Sequence, residues 1–138
     1  MNREPIRFKT THRTKFSEID PNAHMNTEHY VSYFLEHRMI GLRENLGWDL
    51  KTMMKLPFAV YVKRLDVSFI KPVFGDQEFV VTSFVREFVG ADANIEITMT
   101  DPTGRVLSTC LMIAACIDKT TFKATDWPKE TVDLFYSN

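Results

Sequence analysis

The segment from Thr27 to Leu46 constrains the fold of this chain more than any other feature, because it alone has a long helical pattern of apolar residues. It contains no proline, Asn26 precedes it as a candidate N-cap, and Gly47 follows at the position that commonly ends a helix. Its apolar residues form a broad stripe, which predicts a deeply buried helix. The stripe consists of Tyr30, Val31, Phe34, Leu35, Met39, Ile40, Leu42 and Leu46.

Strand patterns occupy most of the remaining chain. Before the helix, Ile6, Phe8 and Phe16 alternate with basic residues, which predicts a half-buried strand over residues 6–16. After Pro57, four strands are predicted over residues 58–70, 78–88, 93–100 and 105–118, separated by turns at Gly75–Asp76, Gly90 and Asp101–Gly104. One long helix beside a sheet of about five antiparallel strands is an α+β layout.

Three details extend this layout. The apolar residues of segment 58–70 change from even to odd positions, which predicts a β-bulge near Lys63 and Arg64. The second half of segment 105–118 is apolar on both faces, which predicts a central strand. A short helix is predicted from about Pro128, and aromatic residues on both sides of it would dock the C-terminal end. These aromatic residues are Trp127 and Phe135.

The composition fits a single globular domain spanning residues 1–138. Hydrophobic residues make up 44% of the chain and charged residues 25%, which is sufficient for a core. The net charge of −1 provides no basic surface for nucleic acid or for an anionic membrane. No apolar run is long enough to span a bilayer, and the N-terminus lacks a secretory pattern. A cytoplasmic protein is therefore expected.

The sequence indicates no disulfide, metal site or cofactor. Cys110 and Cys116 lie in one predicted strand, where their separation of about 20 Å exceeds disulfide reach, so both are expected to be reduced packing residues. His24, His29 and His37 lack the i, i+4 pairing of helical zinc sites, and the 5 glycines form no phosphate-binding loop. No Gly-x-Ser-x-Gly motif is present either.

The segment before the helix contains the most distinctive motif. It reads Phe16-Ser17-Glu18-Ile19-Asp20-Pro21-Asn22-Ala23-His24-Met25-Asn26, followed by Tyr30 and Tyr33-Phe34-Leu35-Glu36. This motif resembles the opening of hotdog-fold thioesterases of the 4-hydroxybenzoyl-CoA thioesterase-like family. A second segment, Phe69-Ile70-Lys71-Pro72-Val73-Phe74-Gly75-Asp76, is similar to a later signature of that family. The resemblance extends over about residues 8–128. It implies a hotdog fold, in which the sheet wraps around one long central helix.

One residue of the first motif departs from the family's pattern. Ala23 stands where the family usually has Gly. If the backbone there needs a positive φ angle, alanine is strained, because its Cβ disfavours the left-handed conformation. The conformation of Ala23 is therefore the point at which the resemblance is most easily tested.

Thioester hydrolysis needs a group that attacks the carbonyl carbon or activates water, and donors that hold the developing oxyanion. A carboxylate just before a helix supplies the first, and the free N–H groups of the helix N-terminus supply the second. In this chain those groups are Asp20 and the amide of Thr27. The resemblance implies that Asp20 is either the nucleophile or the general base. His24 would order the loop, assist the base or simply pack.

Further residues are candidates for contact with an acyl-CoA or acyl-carrier-protein substrate. Asn26 is either only the helix cap or also touches the substrate, and Tyr30 either lines an acyl pocket or packs in the core. Three cations could meet the phosphates of a CoA-like carrier or remain solvated surface charges. They are Lys63, Arg64 and Lys71.

The predicted function is hydrolysis of an acyl thioester without a metal or a cofactor. A hotdog hydratase or dehydratase is one alternative. The motif that those enzymes resemble, Asp-x-Asn-Pro-x-His, places the His one position further from the Asp than His24 lies from Asp20. A non-catalytic acyl-binding hotdog protein is the other alternative, and Ala23 keeps it open.

A homodimer or homotetramer is expected, because one helix cannot cover both faces of an apolar sheet. The strand predicted over residues 78–88 has Phe79, Val81 and Val85 on one face and Val80, Phe84 and Phe88 on the other. A lone subunit would leave much of this apolar sheet surface exposed to solvent, which is rare in soluble monomers. The resemblance implies that two hotdogs join into one continuous sheet with each site shared across the interface. Asp20 of one subunit would then face residues 60–64 of the other.

Overall fold

The computed structural model describes residues 3–137 and confirms the α+β layout. The strands are β1 (Phe8–Arg13), β2 (Phe58–Phe69), β3 (Glu78–Val89), β4 (Asp92–Thr100) and β5 (Val106–Asp118). The helices are α1 (Thr27–Leu46), α2 (Leu50–Met54) and α3 (Lys129–Asp133), and a 3₁₀ turn covers Phe16–Glu18. Within residues 3–137, no helix combines the length and the apolar character that crossing a membrane requires.

All five strands form one antiparallel sheet in the order β1-β3-β4-β5-β2. Strands β3, β4 and β5 form a meander with short turns, whereas β1 and β2 pair with strands that are distant in the sequence. The strand that was expected to be central, β5, has a partner on each side, but the middle position belongs to β4. The two edges of the sheet are β1 and β2.

Helix α1 begins and ends where the sequence predicts. The Asn26 side chain caps its N-terminus, and Gly47 ends it in the left-handed conformation with a φ of 71°. The helix lies against β1 and β3. A Cβ atom on Gly41 would lie 2.9 Å from the Phe8 Cβ and closer still to its ring. This glycine therefore lets the helix backbone rest directly on β1.

The buried face of α1 differs from the predicted apolar stripe. Its buried residues are Tyr30, Tyr33, Phe34, His37, Arg38 and Gly41. Two of these, His37 and Arg38, are basic residues, and Leu35, a predicted member of the stripe, is 40% exposed. The difference arises because α1 covers β1 and β3 closely but leaves an open space toward β2.

The predicted bulge in β2 is confirmed. The pairing of β2 with β5 shifts register between Val62 and Arg64, so Lys63 is the extra residue. Strand β3 has a second irregularity opposite β4, between Val85 and Glu87. The sequence does not reveal it, because both faces of β3 are apolar and a slip leaves no break in the pattern.

One predicted element was wrong and one helix was missed. The N-terminal strand ends at Arg13 rather than at residue 16, and Phe16 is 97% exposed instead of buried. The cause is local: the Lys15 N–H donates to Glu18 Oε1 at 2.8 Å, which stabilises a 3₁₀ turn in place of a strand. Helix α2 was not predicted. It begins at the N-cap Asp49, whose side chain accepts a hydrogen bond from the Thr52 N–H.

The C-terminal predictions are confirmed. Helix α3 begins after Pro128, and Trp127 and Phe135 are buried. The Trp127 Nε1–H donates to a backbone carbonyl, which fixes the ring at the end of the sheet. Cys110 and Cys116 are free and buried, and burial raises the pKa of the Cys110 thiol to about 11. Both cysteines are therefore packing residues.

Candidate active site

The loop between the 3₁₀ turn and α1 holds Asp20 through its backbone. Asp20 Oδ1 accepts hydrogen bonds from the Asn22 N–H at 2.9 Å and from the His24 N–H at 3.2 Å. The Asp20 N–H in turn donates to the His24 carbonyl at 2.9 Å. No hydrogen bond from the described residues reaches Oδ2, and the residue is half-buried. The carboxylate is thus oriented through one oxygen and open at the other.

Ala23 occupies the tight point of this loop. Its φ of 63° lies in the left-handed region, as expected for a position where the family usually has Gly. The Ala23 N–H donates to the Asp20 carbonyl at 3.0 Å, which closes a turn. The Cβ atom of alanine destabilises this left-handed conformation by about 1 kcal/mol. The loop therefore keeps the expected geometry despite the alanine.

A second segment, residues 72–76, is joined to this loop. His24 and Phe74 form an isolated antiparallel bridge, and their rings lie edge-on with centroids 5.0 Å apart. The Met25 N–H donates to the Val73 carbonyl at 2.6 Å. The two motifs that are separated in the sequence therefore form one structural unit.

The N-terminus of α1 adjoins the loop. The Asn26 N–H donates to the Glu18 carbonyl at 2.8 Å, and Asn26 Oδ1 accepts from the Thr27 N–H at 3.0 Å. Both Asn26 and Thr27 are exposed. The predicted oxyanion donor, the Thr27 amide, thus lies at the surface beside the loop, and the helix cap engages it in this structure.

Tyr30 supports the second segment from below. It is buried, its hydroxyl oxygen accepts from the Val73 N–H at 3.1 Å, and its ring packs edge-on against Phe69 with centroids 5.0 Å apart. Burial raises the pKa of the Tyr30 phenol. Lys71 is exposed and immediately precedes segment 72–76. Tyr30 and Lys71 therefore both border the segment that contacts the loop.

Lys63 and Arg64 lie elsewhere, in the middle of edge strand β2. Lys63 Nζ contacts Asp92 Oδ2 at 3.1 Å, and both cations are exposed. No hydrogen bond or ion pair within the described residues joins either of them to Asp20. A single copy of the chain therefore does not bring these two candidate phosphate contacts to the loop, and their role stays a prediction.

Glu18 is a candidate functional residue that the sequence analysis did not identify. Its Oε1 accepts from the Tyr33 hydroxyl at 2.5 Å, and its Oε2 lies 4.0 Å from His29 Nδ1. Burial, together with the hydrogen bond and charge of Glu18, raises the pKa of Tyr33 and keeps its phenol protonated. No sequence spacing links Glu18 with Tyr33, so only the fold reveals the pair. Residues 3–137 contain no group of three His, Cys, Asp or Glu placed to hold a metal ion.

An apolar cavity of about 180 Å³ lies between α1 and the sheet. Arg38 is the charged side chain of its lining, and the other lining residues are hydrophobic. Those from the helix and the β2 edge are Leu35, Met39, Leu42, Val60 and Val62, and those from the interior strands include Val85, Phe88, Ile95 and Met112. An apolar lining of this kind suits a hydrocarbon group.

A set of polar side chains, the buried polar network, lies beside the cavity. Thr10 Oγ1 is 2.7 Å from both His12 Nε2 and His37 Nδ1, and Ser83 Oγ is 2.7 Å from His37 Nε2. Arg38 Nη1 donates to Ser83 Oγ at 3.0 Å. Burial, reinforced by the charge of Arg38, lowers the pKa of His37 to about 3. His37 is therefore neutral at pH 7.

The family of this chain follows from a match over most of its length. A family model described as "Thioesterase-like superfamily" matches residues 14–135. The chain belongs to the thioesterase-like superfamily. The matched range includes the loop with Asp20 and every strand after it. Membership confirms the expected enzyme class, a thioester hydrolase.

Individual proteins are similar to this chain in sequence or in fold. The chain is 23% identical over 118 residues to the "Long-chain acyl-CoA thioesterase FadM" of Escherichia coli (strain K12), covering 85% of this chain and 88% of FadM. It superposes on SAV2348 of Staphylococcus aureus, solved in complex with CoA, with a TM-score of 0.84 at 18% identity, covering 97% of this chain and 84% of that one. For Slr0204, a 1,4-dihydroxy-2-naphthoyl-CoA thioesterase from Synechocystis, the TM-score is 0.84 at 11% identity, with coverages of 94% and 96%. These likenesses confirm the expected hotdog fold.

Proposed function

We propose that this superfamily member hydrolyses an acyl-CoA thioester at the loop that contains Asp20. The observation that carries the proposal is the held carboxylate: two backbone N–H groups fix Oδ1, and Oδ2 is open in the loop that leads into α1. The reaction adds water across the C–S bond and yields a carboxylic acid and a free thiol. The apolar cavity supports an acyl group as the part of the substrate that the protein encloses.

Asp20 can act through its open oxygen in two ways. As a general base, Oδ2 takes a proton from water while the water oxygen bonds to the acyl carbon, and the proton passes to the departing thiolate. As a nucleophile, Oδ2 itself bonds to the acyl carbon and displaces the thiolate, and water then hydrolyses the resulting anhydride. Turnover in the presence of hydroxylamine separates the two routes, since only the anhydride converts Asp20 into a hydroxamate that mass spectrometry detects.

The N-terminus of α1 is the proposed site for the oxyanion. The Thr27 amide and the positive end of the helix dipole would stabilise the carbonyl oxygen as it gains charge. Rotation of the exposed Asn26 side chain frees that amide for the substrate. We assign His24 to ordering the loop and Tyr30 to positioning, because the Tyr30 hydroxyl is occupied by the Val73 N–H.

CoA is the proposed carrier of the acyl group, with acyl-carrier protein as the alternative. FadM is named for long-chain acyl-CoA, and SAV2348 was solved with CoA. Lys71 is the proposed phosphate contact from the same chain, because it adjoins the segment that touches the loop. Lys63 and Arg64 would contribute phosphate contacts from a second subunit.

We further propose that two copies pair through their β2 edges, as a homodimer or as a homotetramer of such dimers. Strand β2 has 12 residues, and its outer edge has no partner strand within residues 3–137. Its exposed side chains include Tyr61, Val62 and Phe69. A long apolar edge of this kind is a template for strand pairing. Pairing there would bring residues 60–64 of one copy toward Asp20 of the other.

The test of the function is a thiol-release assay over aliphatic and aromatic acyl-CoAs and the matching acyl-carrier proteins. The Asp20→Asn variant, purified alongside, controls for contaminating hydrolases. We expect the wild type to release thiol and the variant to lose at least about 100-fold in kcat/KM. His24→Ala should lose less. Near-native turnover by Asp20→Asn would remove Asp20 from the mechanism, and loss on chelation with rescue by zinc would contradict a metal-free reaction.

The assembly is tested by sedimentation at micromolar concentration. Tyr61→Lys places a charge on the β2 edge and should shift the protein toward monomer with loss of activity. Thr11→Lys makes the same change on the opposite edge strand, β1, and should leave the assembly intact. A folded and active wild-type monomer would defeat both the assembly and the shared site.

A further inference from the structure

Arg38 is the charged group that the proposed chemistry leaves unused. It is 8% exposed on α1 and lines the apolar cavity. No carboxylate of residues 3–137 lies within ion-pair distance of it. A buried guanidinium without a counter-ion is costly, because the protein interior does not replace its hydration. Its position therefore needs a reason other than packing.

Contacts within the protein use only part of the guanidinium. Nη1 donates to Ser83 Oγ at 3.0 Å, and the Cζ atom lies 4.4 Å from the centroid of the Phe8 ring. A guanidinium carries five N–H donors. No fully buried side-chain nitrogen or oxygen among the described residues lacks a hydrogen-bond partner, so the remaining Arg38 nitrogens reach water-accessible space. Arg38 also lines the apolar cavity, which is a space of that kind.

The surroundings of Arg38 do not neutralise it. Burial lowers its pKa to about 10, so it stays a cation at pH 7. His37, the neighbour on the helix, is neutral there because its pKa is lowered to about 3, and the Ser83 hydroxyl carries no charge. Every other residue lining the cavity is hydrophobic. The cavity is therefore an apolar space whose lining includes Arg38, a cation without a counter-ion among the described residues.

We propose that Arg38 is a specificity-determining residue that binds a carboxylate at the far end of the acyl group, so that the enzyme prefers ω-carboxyacyl thioesters to acyl thioesters ending in a methyl group. This inference rests on the proposed thioesterase function. Arg38 lies about three helical turns from Thr27, away from the proposed position of the thioester.

The chemistry of the pair favours a carboxylate over other terminal groups. A guanidinium donates two parallel N–H groups to the two oxygens of one carboxylate, and the resulting pair supplies the missing counter-ion. An acyl group that ends in a methyl would leave the Arg38 cation desolvated and without a counter-ion. A site with such a polar group discriminates strongly against a substrate that cannot pair with it. Leu35 and Val62, which are 40% and 45% exposed, mark where the cavity opens in a single copy. This opening lies on the β2 side, which the proposed pairing brings toward Asp20 of the second copy.

The experiment measures kcat/KM for acyl-CoAs of equal chain length that end in a carboxylate, a hydroxyl or a methyl group. The wild type should prefer the carboxylate over the methyl by at least about tenfold. Arg38→Met should bring that ratio close to one, whereas Arg38→Lys, which keeps the charge without the paired donors, should retain part of it. Leu42→Met is the matched control: it changes the same cavity without charge and should shift all three substrates in parallel.

Each outcome decides the inference. A wild-type ratio near one, a ratio that Arg38→Met leaves intact, or an equal preference for the hydroxyl group overturns it, while hydrolysis of methyl-ended substrates upholds the proposed function. If no thioester is hydrolysed, the proposed function fails, and calorimetric binding of the carboxylate-ended and methyl-ended acyl-CoAs to wild type and Arg38→Met then decides the role of Arg38. If Arg38→Met does not fold, the wild-type and Arg38→Lys ratios decide.

Discussion

The loop with Asp20 and the buried polar network are both polar, yet the protein holds them in opposite ways. In the loop, backbone N–H groups of one tight turn orient the carboxylate, and one oxygen stays open. In the network, the side chains of Thr10, His37 and Ser83 come from β1, α1 and β3 and bond to one another in the core. A reactive group can thus be oriented locally at little cost to the fold, whereas the network joins distant elements and stabilises them.

The most direct test of this difference between the loop and the network is to measure both the stability and the activity of Asp20→Asn. The asparagine oxygen can still accept from the Asn22 and His24 N–H groups. The free energy of unfolding should therefore change by less than about 1 kcal/mol, while activity falls by at least about 100-fold. Urea unfolding followed by tryptophan fluorescence measures the first quantity. A large loss of stability would show that the loop is not a local unit.

Thr10→Val should have the opposite effect. It keeps the shape of the side chain but removes the hydroxyl between His12 and His37, so a buried ring nitrogen loses its partner. The free energy of unfolding should fall by about 1–3 kcal/mol, with activity per folded molecule near that of the wild type. Thr11→Val, at the exposed neighbouring position of β1, is the control and should change stability little. Equal effects of the two variants would contradict a stabilising network.

The same contrast explains what could be predicted from the sequence. The turn at Asp20, the cap at Asn26 and the positive φ at Ala23 depend on residues close together in the chain, so local patterns predict them. Local patterns do not predict the network, because Thr10 and Ser83 come close to His37 only when the strands take their order in the sheet. On a helix, His37 and Arg38 read as surface residues, and no local pattern shows that they are buried.

Errors in the predicted elements have a related cause. Alternation predicted a strand through Phe16, but one hydrogen bond between Lys15 and Glu18 outweighs the alternation there. The role of Lys63 and Arg64 as phosphate contacts stays a prediction, because a single copy of the chain leaves them on an edge strand. Patterns along the chain predict which faces are apolar, but they do not say what a second segment or a second copy covers.

Lowering the pH should destabilise the network, because it contains a histidine that is buried in its neutral form. The pKa of His37 moves from an ordinary value of 6.5 to about 3 on folding, first through burial and then through Arg38 and His12. Between these values the unfolded chain binds a proton that the folded protein does not. Stability should therefore be constant above pH 6.5 and fall as the pH is lowered, by up to about 1.4 kcal/mol per pH unit.

Urea unfolding between about pH 7.5 and 5.5 measures this slope while the carboxylates stay ionised. His12, whose pKa burial also lowers, adds to the slope. The control is His37→Gln, which does not titrate and should give a flatter dependence. The same slope in both proteins would exclude His37 as its source.

The smallest effect is expected for Ala23→Gly in the loop. Glycine removes the cost of the left-handed conformation at φ 63°, but it gives the unfolded chain more freedom. The two effects offset, so stability should change by less than about 1 kcal/mol, with activity retained. Thermal unfolding measures this change, and the β-branched Ala23→Val should be clearly worse. A large loss for Ala23→Gly would mean that the loop does not need this backbone conformation.

The strand order also determines how the chain assembles. Strand β1 cannot pair until β3 exists, since Arg13 lies opposite Glu78 across 65 residues, and β2 waits in the same way for β5. The strands of the meander, β3, β4 and β5, pair with neighbours in the sequence, so closing their short turns costs little conformational entropy. Their amides should therefore gain protection first in pulse-labelled hydrogen exchange. During synthesis, α1 leaves the ribosome after β1 but before β3, the second strand that covers it. The first half of translation is therefore when the nascent chain is most exposed to aggregation.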